Sequence, residues 1–274
     1  MTRPGISSLE ARRLAAQAWV EVCELIDLQL SPLGLRAIDA LAPRPGEVIL
    51  DVGCGAGPSV LQLAERVGPR GRVVGVDIAR PLLDLARVRA DGLDQADFIE
   101  RDATILDLPD AGLDAVFSRF GVMAFADPAA AFANFHRMLK PSGRIAFVCW
   151  RALAENELDH LPLRAAGLES RLDPTPFSFE DPATVRATLE AAGFREIAIT
   201  AHDALVSSGD LDAMIEVLLK VGPLGKILRE TPRLRTDAEP KVRAALAARD
   251  HGADVALLAA TWIVSARASA QVDA

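Results

Sequence analysis

One stretch constrains the fold more than any other: Val48-Ile49-Leu50-Asp51-Val52-Gly53-Cys54-Gly55-Ala56-Gly57-Pro58. An apolar run reads as a strand, the three alternating glycines as a turn, and Pro58 as the opening residue of a helix, where its missing N–H does no harm. A strand that passes through a glycine turn straight into a helix is the first half of a βαβ unit. Glycine at that turn permits positive φ and close approach of backbone to a ligand.

The rest of the chain continues the pattern, with short apolar runs about 20 to 25 residues apart and helical stretches between them. Strands are expected at Val48 to Val52, Val73 to Val76, Asp97 to Glu100, Ala115 to Ser118 and Arg144 to Cys149, with helices at Pro58 to Glu65, Pro81 to Arg89 and Pro128 to Leu139. Near-continuous runs such as VILDV and RIAFVCW suit parallel strands buried on both faces. Before them, apolar residues at helical spacing from Ser8 to about Leu41 predict a helical arm, with Ser31-Pro32 ending one helix. After Trp150 the alternation lapses until Phe179, in a connection long enough to cover a site. A helix from Glu180 to Ala192, a sixth strand from Glu196 to Ala201, a mostly helical stretch from Leu211 to Leu258 and a last β-rich run from Thr261 to Ser265 follow.

The turn chemistry discriminates among ligands. A dinucleotide fingerprint starting at Gly53 needs glycine where this chain has Pro58, which also removes an N–H from the helix N-terminus that usually holds pyrophosphate. Asp51 would repel a pyrophosphate, yet it could attract an ammonium group or order the loop by accepting its N–H groups. No GxxxxGK[ST] is present, so phosphoryl transfer lacks its usual apparatus. Asp77 ends the second strand about 20 residues beyond the turn, where a carboxylate accepts ribose hydroxyls, and Ile78 could lie against an adenine face. Asp102, just past the third strand, could accept from an adenine amino group, with Ala103 adding a backbone donor. Each acid alone has an ordinary structural explanation, as a loop cap, a helix cap or a turn residue. Three of them at the ends of successive strands make a ligand site.

This order of motifs resembles the class I S-adenosylmethionine-dependent methyltransferases, in particular the small-molecule group that includes quinone C-methyltransferases, over about Val48 to Trp150. The resemblance implies a doubly wound, mostly parallel, seven-stranded Rossmann-like α/β sheet and S-adenosylmethionine as cofactor. It makes Asp51 to Gly57 the first motif, with Gly53 and Gly55 facing the cofactor, Asp77 the ribose acid and Asp102-Ala103 the adenine contact. Leu113 to Ser118 becomes the fourth strand, with Ser118 among the cofactor-binding residues. Leu139-Lys140-Pro141-Ser142-Gly143-Arg144 resembles the family's Leu-Lys-Pro-Gly-Gly turn, Ser142 being the departure. The family's antiparallel final hairpin would come from Glu196 to Ala201 and Thr261 to Ser265. One domain over residues 1–274 is expected, with an arm at 1–45, a cofactor core at 46–150 and cover segments at 151–179 and 206–260.

Composition matters mainly for what it excludes. A net charge of −8, with arginines scattered among carboxylates, gives no basic stripe for nucleic acid. No signal peptide and no bilayer-spanning run is present, which reads as cytoplasmic. Cys23, Cys54 and Cys149 lie far apart without metal-ligand spacing, so no metal is expected. Of the histidines His136, His160, His202 and His251, only His160 falls in the long connection between Trp150 and Phe179, and no catalytic residue is assigned. Trp19 and Trp150 read as core residues. Leu161, Leu163, Leu168, Leu218, Leu219 and Leu224 suggest a small, fairly hydrophobic acceptor, or simply helix faces that pack on the sheet or on a second copy in a homodimer. Three rivals stay open: the same fold and cofactor with chemistry other than methyl transfer, a nicotinamide-dependent oxidoreductase, and an interaction module whose helical inserts bind a partner and whose pocket is vestigial.

Overall fold

A computed structural model describes residues 8–249 and 254–269. Its elements run α1 (Ser8–Glu21), α2 (Cys23–Leu41), β1 (Val48–Val52), α3 (Pro58–Val67), β2 (Arg72–Asp77), α4 (Arg80–Arg89), β3 (Ala96–Glu100), β4 (Leu113–Arg119), α5 (Pro128–Met138), β5 (Leu139–Trp150), α6 (Glu157–Ala166), α7 (Pro182–Ala191), β6 (Phe194–Val206), α8 (Leu211–Lys220), α9 (Gly222–Glu230), α10 (Arg235–Ala247) and β7 (Leu257–Ala268). No helix among the described residues is long and apolar enough to cross a membrane. The chain forms two compact units.

The sheet unit holds residues 31–152, 174–203 and 260–269. Its seven strands are ordered β3-β2-β1-β4-β5-β7-β6. The pairings of β1 with β2 and β4, of β2 with β3 and of β4 with β5 are parallel, whereas β7 runs antiparallel to β5. The expected fold is therefore observed. The chain winds outward from β1 to β3 and then returns to β4 on the other side of β1, so the strand order reverses between β1 and β4. Crevices for ligands open at such a reversal, outside the carboxyl ends of the strands.

The apolar pattern explains the layers. Ile49, Leu50, Val73, Val76, Ala115, Val116 and Phe117 are at most 1 % exposed, as central parallel strands covered on both faces require. On one side Phe132 of α5 is the hub of an aromatic cluster, with ring centroids 5.6 Å from Phe147, 6.1 Å from Phe179 and 6.5 Å from Phe194. Arg144 ties β5 to the end of α2 by donating to Leu41 O at 2.5 Å and to Glu47 Oε2 at 2.7 Å. Within β5 the register slips between Leu113 and Ala115 of β4, where the Lys140-Pro141-Ser142-Gly143 segment bulges. Ser142 there has φ 64°. It occupies the left-handed conformation that the glycine of the family's turn takes without strain.

The helical unit comprises residues 8–30, 153–173, 204–249 and 254–259. Leu163, Leu218, Leu219 and Leu224 are at most 5 % exposed and pack inside it, with Met214, Ile227, Val242 and Leu246. Lys220 at the end of α8 pairs with Glu21 and with Glu216, each at 3.0 Å.

Two local expectations are corrected. The arm breaks at Val22 between α1 and α2, while Ser31-Pro32 lies inside α2. Proline at position 32 lacks an N–H to give to Leu28 O, but helix on both sides carries it through that lost bond. The stretch after Trp150 contains α6, which includes Pro162; proline spacing hid its helical period.

Candidate active site

The site is assembled from backbone outward. β1 delivers the chain to Gly53, Gly55 and Gly57, at φ 71°, 54° and 81°. Gly53 N and Cys54 N both donate to Val76 O, at 2.9 and 3.1 Å, which fastens the loop to the end of β2. A Cβ on Gly53 would stand 2.8 Å from Gly121 Cα, whereas one on Gly55 would meet nothing within 4 Å. Gly53 is thus pressed against the exit from β4, and Gly55 borders open space in which a ligand can approach the backbone.

Asp77 closes β2. Its Oδ2 accepts from Gly55 N at 2.9 Å and its Oδ1 from Ala79 N at 2.8 Å. Burial raises its pKa while these backbone donors pull it back down. Each carboxylate oxygen keeps a second lone pair, so the group is a fixed, two-pronged acceptor. Ile78 beside it is 59 % exposed. Asp102 follows β3, where its Oδ1 accepts from Thr104 N at 2.9 Å and Thr104 Oγ1 at 2.7 Å, capping the turn that opens with the buried Ala103. Ile105 in that turn is 64 % exposed. Asp51, Asp77 and Asp102 thus lie towards the carboxyl ends of three adjacent strands, β1, β2 and β3.

Asp51 differs from the other two. It is fully buried in β1, between Gly75 and Phe117 of the neighbouring strands. Ser59 Oγ of α3 donates to its Oδ2 at 2.5 Å, and Oδ1 has no partner. Desolvation lifts its pKa to about 7, opposed by the Ser59 hydrogen bond and the positive field of Arg119 and helped by the negative field of Asp77. Ser118 is also fully buried: its hydroxyl donates to Val52 O at 2.7 Å and accepts from Gly121 N at 3.0 Å. It braces the loop from behind.

Sequence reasoning missed Ser59 and the segment Arg119-Phe120-Gly121. A serine one residue into a helix and a glycine three residues after Ser118 were the available signals. The histidines are dispersed. His136 packs edge-on to Phe194 at 5.3 Å, His160 lies 3.6 Å from Glu169 in the helical unit, His202 is on β6, and His251 falls outside the described residues.

An unpartnered buried carboxylate oxygen, a glycine bordering open space and a fixed acceptor at the end of β2 gather at the carboxyl ends of adjacent parallel strands, beside the reversal of strand order. A family profile described as "Methyltransferase domain" matches residues 49–143. Nocamycin O-methyltransferase of Saccharothrix syringae is 32% identical over 203 residues, 67% of this chain and 72% of the relative. Demethylmenaquinone methyltransferase of Thermus thermophilus is 41% identical over 112 residues, 40% of this chain and 50% of the relative. Among solved structures, the YcgJ protein of Bacillus subtilis superposes with TM-score 0.58 at 19% identity, covering 86% of this chain and 97% of that one. The [4+2]-cyclase SpnF has TM-score 0.54 at 22% identity, covering 87% of this chain and 81% of its own, so the same fold also carries other chemistry. The chain belongs to the class I S-adenosylmethionine-dependent methyltransferases.

Proposed function

We propose that Asp51, Gly53, Gly55, Asp77, Ile78, Asp102 and Ala103 hold S-adenosylmethionine for methyl transfer to a small, fairly hydrophobic acceptor by in-line displacement. Asp77 carries this reading, because two backbone N–H groups fix both carboxylate oxygens before any ligand arrives. A preset acceptor loses little entropy when it takes ribose hydroxyls. Ile78 and Ile105, both exposed aliphatics, flank the adenine, whose amino group Asp102 Oδ2 accepts. The unpaired Oδ1 of Asp51 is the acceptor left for the methionine ammonium. Ser118 contributes by bracing that loop.

When bound, the cofactor supplies a methyl group on a positively charged sulfur, which is already an activated leaving group. The chain's own part is to orient the cofactor and exclude water, so that alignment supplies most of the acceleration and no base is required. The packed leucines of the helical unit are accounted for by its own core, and the preference for a hydrophobic acceptor rests instead on the half-covered ring of Phe120 at the exit of β4. A small organic acceptor agrees with the names of the relatives, which refer to nocamycin and demethylmenaquinone.

Asp77→Ala is expected to weaken S-adenosylmethionine binding by about 1.5 to 3 kcal/mol, the scale of hydrogen bonds to a charged group. Labelled-methyl transfer to an added phenol or quinol, with affinity measured in parallel, tests both halves of the reading. Unchanged affinity in the folded variant would remove Asp77 from the site, and cofactor binding without transfer to any acceptor would remove the methyl chemistry.

A further inference from the structure

Asp102, Asp77 and Asp51 stand at the carboxyl ends of three adjacent strands, β3, β2 and β1. On the assignment proposed above, adenine, ribose and methionine follow one another along the sheet in that order. The transferable methyl then points across the strand reversal, towards β4 and β5.

An unusual structure occupies those two strand ends. Phe120 has φ 60°, the left-handed region that a side chain of this size rarely adopts. Its N–H donates to Val148 O at 3.1 Å, and its ring stacks on Trp150 with centroids 4.1 Å apart and planes 20° from parallel. Trp150 is 8 % exposed and backs the pair, while Phe120 is only partly covered. The next residue, Gly121, is pressed so closely on the cofactor loop that a Cβ there would collide with Val52 O and lie 2.9 Å from Gly53 Cα. The aromatic pair is therefore fixed in position relative to the cofactor loop. A ring retained only for packing could be supplied from relaxed backbone. Strained backbone of this kind is enriched at active sites and ligand clamps.

We propose that Phe120, backed by Trp150, is the platform on which the methyl acceptor stacks, and that the acceptor is a flat conjugated ring bearing the nucleophile. This rests on the cofactor assignment above. Offset stacking on an immobilised ring gives a flat acceptor an advantage that a puckered one of equal size lacks.

The test compares the flat probe 1-naphthol with its saturated counterpart decahydro-1-naphthol, by calorimetry on protein saturated with S-adenosylhomocysteine. Wild type should prefer the flat probe by roughly fivefold to tenfold. In Phe120→Gly that preference should vanish, with S-adenosylhomocysteine affinity within about twofold of wild type; relief of the strained φ offsets part of the stacking lost on Trp150 and of the entropy glycine adds to the unfolded chain, so a modest fall in melting temperature is expected. Phe120→Leu, which keeps bulk without a π face, should also lose the preference. Equal binding of the two probes by wild type, no binding of 1-naphthol, or a preference retained in Phe120→Gly would overturn the proposal. So would a large fall in melting temperature with weakened S-adenosylhomocysteine binding in Phe120→Gly, which would make the ring a structural prop. Failure of wild type to bind S-adenosylhomocysteine at all would strike the cofactor assignment instead.

Discussion

Asp51→Asn is expected to make the ligand-free protein more stable at pH 8 while weakening its hold on the cofactor. The carboxyl is fully buried, one oxygen lacks a partner, and burial raises its pKa from 3.8 to about 7. An unfolded chain ionises this group near its ordinary value, so between about pH 4 and pH 7 the native state holds the extra proton. Stability conferred by that proton is therefore lost as pH rises through this window, and above it the native state carries a charge in a poor environment. A displacement of this size corresponds to about 4 kcal/mol. Asparagine also leaves a buried atom unpaired, so a gain of roughly 2 kcal/mol is expected at pH 8. Urea unfolding from pH 5 to pH 8 checks it: the variant should lose the decline that wild type shows, and an unchanged slope would mean that Asp51 is already ionised throughout this range in the folded protein, its pKa not raised. Affinity for S-adenosylhomocysteine should fall by about 10- to 100-fold, the scale of a charge-assisted hydrogen bond. Removing Ser59's hydroxyl should move the window to higher pH, because that hydrogen bond favours the ionised carboxyl.

Gly53→Ala should have the largest effect on the fold of any substitution in the glycine turn. At φ 71° a methyl-bearing residue is strained, and its Cβ would stand 2.8 Å from Gly121 Cα. That neighbour is backbone, held by Gly121 N donating to Ser118 Oγ at 3.0 Å, and cannot rotate away as a side chain could. The left-handed conformation costs about 1 to 2 kcal/mol and the overpacking about 1 to 3, for a total on the order of 3 kcal/mol. Gly55→Ala keeps only the first contribution, since nothing lies within 4 Å of its Cβ, and so should unfold at a denaturant concentration between those of wild type and Gly53→Ala. Both should lose cofactor affinity, Gly55→Ala because its methyl fills the open space the ligand would use. Equal stability of the two variants would show that the β1 and β4 exits are not pressed together.

The sheet was legible because parallel strands buried on both faces are written as unbroken aliphatic runs. VILDV maps onto β1 without error, and β2 to β5 differ from expectation only in length. Helices that depart from simple periodicity were harder. Pro162 disguised α6, and Pro32 suggested an end where α2 continues, because flanking helix and packing override a local breaker. Asp77 could be placed from its interval after the glycines, since that spacing is fixed by the βαβ geometry. The burial of Asp51, the Ser59 hydroxyl on it and the stacking of Phe120 on Trp150 could not, since each depends on which residues of distant segments meet.

The most direct measurement is a calorimetric titration of the wild-type protein with S-adenosylhomocysteine and, separately, with NADH. Saturable one-to-one binding of S-adenosylhomocysteine, weakened in Asp77→Ala and Asp51→Asn, is the expected result, with no binding of NADH, because Pro58 and Asp51 disfavour a pyrophosphate at the glycine turn. Binding of NADH without S-adenosylhomocysteine would contradict the cofactor assignment.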